Sequence, residues 1–270
     1  MRPALAFAAI CLLAVAASSC QRVQAPPSPA LKTLGTLVLL PAVNVDSPML
    51  LMGRYEVTQN EFDSFPENGE LPVTMIPIEA AQTWAKERGF RLPTLQEWQF
   101  AAQDGAGVVY QTKGSLDGKA NVMELGAHEA LPVGVFERGA TRFGLFDMMG
   151  NVWEWVAPEE KNGSLPGQVL ACGGSFARSG EDLSTTTTRF LENGEAADDL
   201  GFRVCADAEA WLLGWVLPLW IQSKKGSEDR SSIIASFALW DSTLRNELAK
   251  NLKEGDFPPD FLDALSYLKE

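Results

Sequence analysis

The chain has 270 residues, a formal net charge of −13, four cysteines and a single histidine, His128. The length suits one domain of ordinary size with additional segments, or two small domains. The hydrophobic content of 46% is typical of a globular protein and argues against a disordered one. The acidic balance argues against a nucleic-acid-binding protein, which would carry a basic surface. A single histidine excludes a three-histidine metal centre and an iron site made of two histidines and one carboxylate.

The first 19 residues are typical of a signal peptide. Residues 4–17 form an apolar run that is too short to span a bilayer and fits the core of such a peptide. The following residues 17–20 (ASSC) resemble a bacterial lipobox, which implies cleavage before Cys20 and lipid on that residue. An ordinary signal peptide with a coincidental cysteine is the alternative. Residues 20–33 contain several prolines and predict a flexible tether.

The predicted processing bears on location and on the other cysteines. Gln21 follows the lipidated cysteine, and in a Gram-negative cell this resembles sorting to the outer membrane. We therefore expect an exported protein that is anchored by lipid at the bacterial cell envelope. Cys11 leaves with the signal peptide, so Cys172 and Cys205 are the only other thiols. Two remaining thiols in an exported protein favour a disulfide.

Short strands, short helices and long loops alternate irregularly between residues 34 and 205. In chain order we predict strands at 34–44 and 48–55, a helix from about 58, helices at 77–88 and 94–102, an irregular stretch at 105–145, and short strands near 132–135, 168–176 and 201–205. Thr58 with Glu61, and Thr94 with Glu97, have the spacing of capping boxes, which start helices. Because the elements do not alternate as βαβ units, the pattern predicts an α+β fold.

Residues 206–270 form a C-terminal extension of different character. The segment Trp211–Ile221 is strongly apolar, but it is too short for a transmembrane helix and contains Pro218. It is either a buried strand or an apolar surface for a membrane or a partner. Residues 231–254 carry a helical apolar stripe, and residues 258–268 predict a short final helix. We expect a mostly helical extension packed on the main domain and regard it as a candidate partner surface.

Several sequence blocks follow one another in a fixed order. They are residues 55–62 (YEVTQNEF), 91–102 (RLPTLQEWQFAA), 143–155 (FGLFDMMGNVWEW), 173–176 (GGSF) and 201–203 (GFR). Each block is weak alone, but their succession resembles the formylglycine-generating enzyme family, also called the sulfatase-modifying factor domain. The resemblance implies a domain at 34–205 with a loop-rich variant of the C-type-lectin-like fold.

The resemblance also implies what the family's redox chemistry needs. Its enzymes oxidise a sulfatase cysteine with copper(I), which is held by two cysteines three and eight residues after the serine of the GGS block. These positions are Arg178 and Leu183 here, and neither is a soft ligand, so copper is not expected. A related branch uses a three-histidine iron site, which His128 alone cannot provide. The candidate pocket that remains contains Ser175, Arg178 and Arg189, with Ser175 also explicable as a small residue at a tight strand end.

A second implied site lies in the WEW block. The family binds calcium there through one side-chain oxygen, two backbone carbonyls and a glutamate, which correspond to Asp147, Gly150, Val152 and Glu154. Two carboxylates, two carbonyls and water can satisfy calcium. The alternative is that the two carboxylates serve turns and hydrogen bonds. A second family calcium site begins at 121–122, but it has no clear acidic counterpart in this sequence.

The family arrangement also concerns the two remaining cysteines. Cys172 and Cys205 flank the strands of the GGS and GFR blocks. If these strands are neighbours, as in the family, a disulfide joins the two residues.

An intact family signature without copper ligands leads to three hypotheses. The first is a non-catalytic envelope lipoprotein whose domain is a binding or scaffold module for a protein, peptide or glycan. The second is a divergent enzyme of the family that acts on a protein or peptide substrate. The third is a calcium-dependent, lectin-like glycan binder.

Overall fold

The computed structural model describes residues 33–63, 69–105, 118–159, 167–252 and 255–266. The predicted signal peptide at 1–19, the lipidated Cys20 and the tether up to residue 32 lie outside these ranges, and so do residues 267–268 of the predicted last helix.

Two small β-sheets form the framework of the fold. In spatial order, the first sheet contains β1 (Leu37–Leu40), β2 (Leu50–Gly53) and β7 (Cys205–Asp207). The second sheet contains, also in spatial order, β5 (Thr188–Glu192), β4 (Gln168–Cys172), β3 (Trp153–Trp155) and β6 (Leu200–Gly201). Both pairings in the first sheet are antiparallel, and β3 runs parallel to β6 in the second. Since β6 and β7 are separated by only three residues, the GFR block connects the two sheets.

Short helices surround the sheets and form the C-terminal extension. They are α1 (Gln59–Asp63), α2 (Ile78–Glu87), α3 (Leu95–Ala102), α4 (Ala208–Trp211), α5 (Leu217–Gln222), α6 (Glu228–Ala238), α7 (Ser242–Asn251) and α8 (Pro259–Ser266). A π-helical turn, Leu212–Val216, joins α4 to α5. Both predicted capping boxes are confirmed: Glu61 and Glu97 each accept a 2.9 Å bond from the backbone N–H of the threonine, Thr58 or Thr94, three residues earlier.

The apolar core joins the extension to the family domain. Trp211, Phe237 and Phe261 of the extension belong to the same buried cluster as Leu37 of β1 and Trp155 of β3. A second cluster lies around Trp98, Leu170 and the two buried cysteines. The extension therefore packs into the main core, as predicted.

Four predictions about single elements differ from the structure. The strand predicted near 201–205 is not one strand, because residues 202–204 lie between β6 and β7. Residues 132–135 form a turn and not a strand. The segment Trp211–Ile221 is helical and not a buried strand, whereas its exposed Leu213, Trp215 and Ile221 agree with the alternative of an apolar surface. The helix predicted at 231–254 is two helices, since the Asp241 side chain accepts bonds from the N–H groups of Thr243 and Leu244 and starts α7.

Within the described ranges, no helix has the length and hydropathy needed to cross a membrane.

Candidate functional site

The candidate pocket is built at the loop that follows β4. Gly173 and Gly174 have φ angles of 95° and 83°, which glycine adopts without strain, and they turn the chain so that Ser175 is fully buried. The Ser175 hydroxyl donates to Asp199 Oδ2 at 2.7 Å, and Arg189 Nη1 lies 3.5 Å from Asp199 Oδ1. The structure therefore joins two of the three predicted pocket residues through an aspartate that the sequence analysis did not name.

The third predicted pocket residue, Arg178, stands apart from this group. It is exposed, and its backbone N–H donates to the carbonyl of Ser175 at 3.0 Å. The Ser175 hydroxyl oxygen also accepts a bond from the N–H of Ala177 at 3.3 Å. A catalytic nucleophile must come within reach of its substrate, which the buried Ser175 does not. Its hydrogen bonds instead stabilise the end of β4 and the loop that follows it.

Leu183 fills the second position at which the resemblance implies a copper ligand. It is buried in a small apolar cluster with Ala120 and Val122. Its methyl groups occupy the space that a Cβ on Gly174 would need. A leucine side chain has no lone pair for a metal, and the guanidinium of Arg178 carries the same charge as a metal ion. The residues at these two positions do not fit copper(I).

A fully buried ion pair connects β3 with the segment between β6 and β7. Arg203 Nε and Nη2 donate to the two oxygens of Glu154 at 2.6 Å each, and both side chains are 0% exposed. Trp98 Nε1 donates to Glu154 Oε2 at 2.7 Å. The other guanidinium bonds go to the carbonyls of Gly53, Arg54 and Phe146. Such complete pairing offsets the cost of removing two charges from water.

This ion pair includes one member of the implied calcium set. The Glu154 carboxylate accepts three hydrogen bonds, and Asp147 Oδ2 accepts one from the N–H of Gly134 at 2.8 Å. Within the described ranges, no three His, Cys, Asp or Glu side chains are grouped as a metal centre. Calcium at Asp147, Gly150, Val152 and Glu154 stays a prediction, and the contacts favour the alternative in which both carboxylates make structural hydrogen bonds.

Glu56 adds another carboxylate to this buried network. It accepts a 2.7 Å bond from Asn151 Nδ2 and a 3.2 Å bond from the N–H of Val152. Burial raises the pKa of Glu56 well above its ordinary value, and the nearby carboxylates of Asp147 and Glu154 raise it further. Burial also raises the pKa of Asp147.

Asn121, where the second implied calcium site begins, belongs to the same network. Its Nδ2 donates to Asn151 Oδ1 at 3.1 Å and to the carbonyl of Glu129 at 2.9 Å. Its Oδ1 is buried and has no hydrogen-bond partner among the described residues.

Cys172 and Cys205 are buried free thiols, so the disulfide predicted between them is not present in the structure. The prediction assumed neighbouring strands, but β4 pairs with β3 and β5, whereas Cys205 begins β7 and pairs with β2. Cys205 Sγ accepts a 3.0 Å bond from Arg91, which also forms an ion pair with Glu97. Burial raises the pKa of both thiols, which keeps them protonated and unreactive.

The sequence blocks, the two linked sheets and the loop-rich connections point to one family. Residues 64–208 match the sulfatase-modifying factor enzyme 1-like domain. The chain belongs to this family. The predicted family and its α+β, loop-rich fold are confirmed.

Other members and neighbours of the sulfatase-modifying factor family show how far the likeness extends. The chain is 33% identical over 159 residues to mouse "inactive C-alpha-formylglycine-generating enzyme 2", covering 53% of this chain and 51% of the mouse protein. It is 37% identical over 102 residues to the formylglycine-generating enzyme of Mycobacterium tuberculosis, covering 33% of each chain. The chain thus spans about half or less of these relatives. Treponema denticola variable protein 1 shares the fold, with a TM-score of 0.52 and 18% identity over 63% of this chain and 94% of that one.

Sequence reasoning missed three polar residues of this family domain. Asp199, Glu56 and Asn151 hold the loop and the buried network together. Asp199 stands two residues before the GFR block, and Glu56 and Asn151 lie within blocks that carry the resemblance. An acid or amide inside or beside such a block was the available signal, but its partner lies too far along the chain to be inferred.

We predict that the free energy of unfolding falls less steeply with rising pH in Glu56→Gln than in the wild type. The folded protein keeps a proton on Glu56 that the unfolded chain releases above about pH 4.5, so this contribution to stability is lost as the pH rises towards the folded-state pKa. Each unit of pKa elevation corresponds to about 1.4 kcal/mol. Urea unfolding at a series of pH values measures the slope. The exposed Glu137→Gln is the control, and equal slopes for wild type and Glu56→Gln would contradict the prediction.

Proposed function

We propose that this member of the sulfatase-modifying factor family is a non-catalytic lipoprotein of the bacterial cell envelope, anchored at the outer membrane in a Gram-negative cell. Its domain acts as a binding or scaffold module for a protein, peptide or glycan. The lipobox-like residues 17–20 and the proline-containing residues 20–33 support the anchor and the tether.

The proposal that the domain is non-catalytic rests on the residues at the two copper-ligand positions, neither of which is a cysteine. Leu183 is packed into an apolar cluster, and Arg178 is an exposed cation. The buried Ser175 is bonded to Asp199 and cannot reach a substrate in this geometry. The similarity to a mouse protein that is named as inactive supports the same conclusion.

A sulfatase peptide with a CxPxR motif tests the proposal directly. Incubation of the full chain with this peptide, copper(I) and oxygen is expected to leave the peptide cysteine unchanged by mass spectrometry. Conversion of that cysteine to formylglycine would overturn the non-catalytic assignment.

A designed copper site tests whether Arg178 and Leu183 are the reason why the domain does not bind copper(I). We expect Arg178→Cys with Leu183→Cys to bind copper(I) stoichiometrically in competition with a chromogenic chelator, because two thiolates suit this soft ion. Each single variant is the matched control and should bind more weakly. If the wild-type chain competes as well as the double variant, copper is bound elsewhere and the proposal fails.

A further inference from the structure

The helical segment α4–π–α5 exposes an apolar surface on an otherwise acidic protein. Leu213, Trp215 and Ile221 are 42%, 37% and 64% exposed. Gly214 and Pro218 are exposed between them. These five residues are called the apolar patch below. Their exposed apolar side chains have no role in the core or in the candidate pocket.

The π-helical turn explains why the apolar patch faces outward. Val216, Leu217 and Trp220 of the same segment are buried in the main cluster, which fixes the inner face of the helix. A π turn has more residues per turn than an α-helix, so residues 213–215 can be exposed consecutively. The patch is therefore held in place by the core beneath it.

Trp215 is seated on the backbone at the end of α2. Its indole ring occupies the space that a Cβ on Gly89 would need, and Gly89 has a φ of 76°. The contact fixes the ring, while 37% of the residue remains exposed. A tryptophan with one packed face and one accessible face has the character of residues at a membrane–water interface.

Basic residues flank the apolar patch. Lys224 and Lys225 are exposed directly after α5, and Lys86 is exposed near the end of α2, three residues before the glycine that supports Trp215. Arg88 lies next to that glycine, with its guanidinium 4.2 Å from the ring centre of Trp84. The acidic groups near these positions are Glu87, Glu209, Glu228 and Asp229. Glu87 lies 3.6 Å from the guanidinium of Arg88, which leaves Lys86, Lys224 and Lys225 as the cations beside the patch. In a chain of net charge −13, this surface carries as many cations as acids, and its exposed lysines fit anionic lipid headgroups.

The length of chain before β1 makes this surface reachable for a membrane. This step rests on the proposed lipid anchor at Cys20. Residues 20–32 can span at most about 45 Å, whereas a domain of this size has a radius of gyration of about 17–18 Å. At full extension the tether is therefore more than twice as long as this radius, so the anchored domain can turn much of its surface towards the bilayer. The tether also gives a weak surface contact a high effective concentration.

We propose that the apolar patch and its flanking lysines dock the domain on an anionic lipid bilayer. Trp215, Leu213 and Ile221 enter the headgroup region, and Lys224 and Lys225 contact the lipid phosphates. The rest of the domain surface then remains available to a partner.

Tryptophan fluorescence tests the proposal, because Trp215 is the exposed indole. Six of the other tryptophans are at most 4% exposed, and Trp84 is partly covered by Arg88. The purified full chain is mixed with vesicles of phosphatidylglycerol and brominated phosphatidylcholine, whose bromine atoms quench nearby indoles. We expect quenching in the wild type and loss of most of it in Trp215→Phe. Absence of quenching in the wild type, or equal quenching in Trp215→Phe, would overturn the proposal. Either result would favour a protein partner as the occupant of the patch.

Matched variants separate the patch from the anchor. Lys224→Glu with Lys225→Glu should reduce quenching on anionic vesicles, whereas Phe190→Ser, at a residue 49% exposed on β5, should leave it unchanged. The mass of the N-terminal peptide reports independently whether Cys20 carries lipid. Lipid without quenching refutes the patch alone, and quenching without lipid refutes the anchor alone.

Discussion

Replacing Arg203 with methionine is expected to lower the free energy of unfolding by about 3–5 kcal/mol, because removal of one partner leaves an uncompensated buried charge. Glu154 would lose both bonds of 2.6 Å from the guanidinium. Asp147 and Glu56 would lose a cation that lowers the pKa of each. Chemical denaturation of the wild type and the variant measures the difference.

Two companion variants separate the buried ion pair from general damage. Asp260→Asn removes a 2.8 Å pair with Arg230 in which the aspartate is 56% exposed, and it should cost about 1 kcal/mol or less. Adding Glu154→Gln to Arg203→Met should cost less than the sum of the single changes, because neither buried charge then remains. Simple additivity would show that the two residues do not stabilise each other.

Local chemistry explains which parts of the fold were predictable from the sequence. The capping boxes at Thr58 and Thr94 each need partners only three residues apart, and both form as expected. The family blocks likewise carry the fold in their order along the chain. The break before α7 was also encoded locally, by Asp241 as an N-cap, although the longer apolar stripe obscured it.

Contacts between distant residues explain what the sequence could not specify. Ser175 is hydrogen-bonded to Asp199, which lies 24 residues further along the chain, and Glu56 is hydrogen-bonded to Asn151, which lies 95 residues further along. No periodicity encodes such pairs. The disulfide prediction failed for the same reason, since the sequence does not state which strands are neighbours. In the segment 211–221, a short apolar run with Pro218 fitted a strand as well as a helix, because proline is tolerated in the first turn of α5.

Trp240→Ala is expected to destabilise the whole protein by about 3–5 kcal/mol, the usual cost of removing a buried tryptophan. Trp240 is 4% exposed and belongs to the main core cluster. Its Nε1 donates to the carbonyl of Leu37 at 2.9 Å, and its ring lies 5.2 Å from that of Phe237. The side chain therefore links the extension to β1. Thermal and urea unfolding, followed by circular dichroism, measure the loss.

The neighbouring residue supplies the control for this prediction. Leu239 is 58% exposed, so Leu239→Ala should change stability by no more than about 0.5 kcal/mol. Trp240→Phe should lie between the two, since it keeps most of the apolar contact and loses the bond to Leu37. Because one core contains both parts, each variant should unfold in a single transition. Two separate transitions in Trp240→Ala, with only the first one shifted, would mean that the extension folds independently of the family domain.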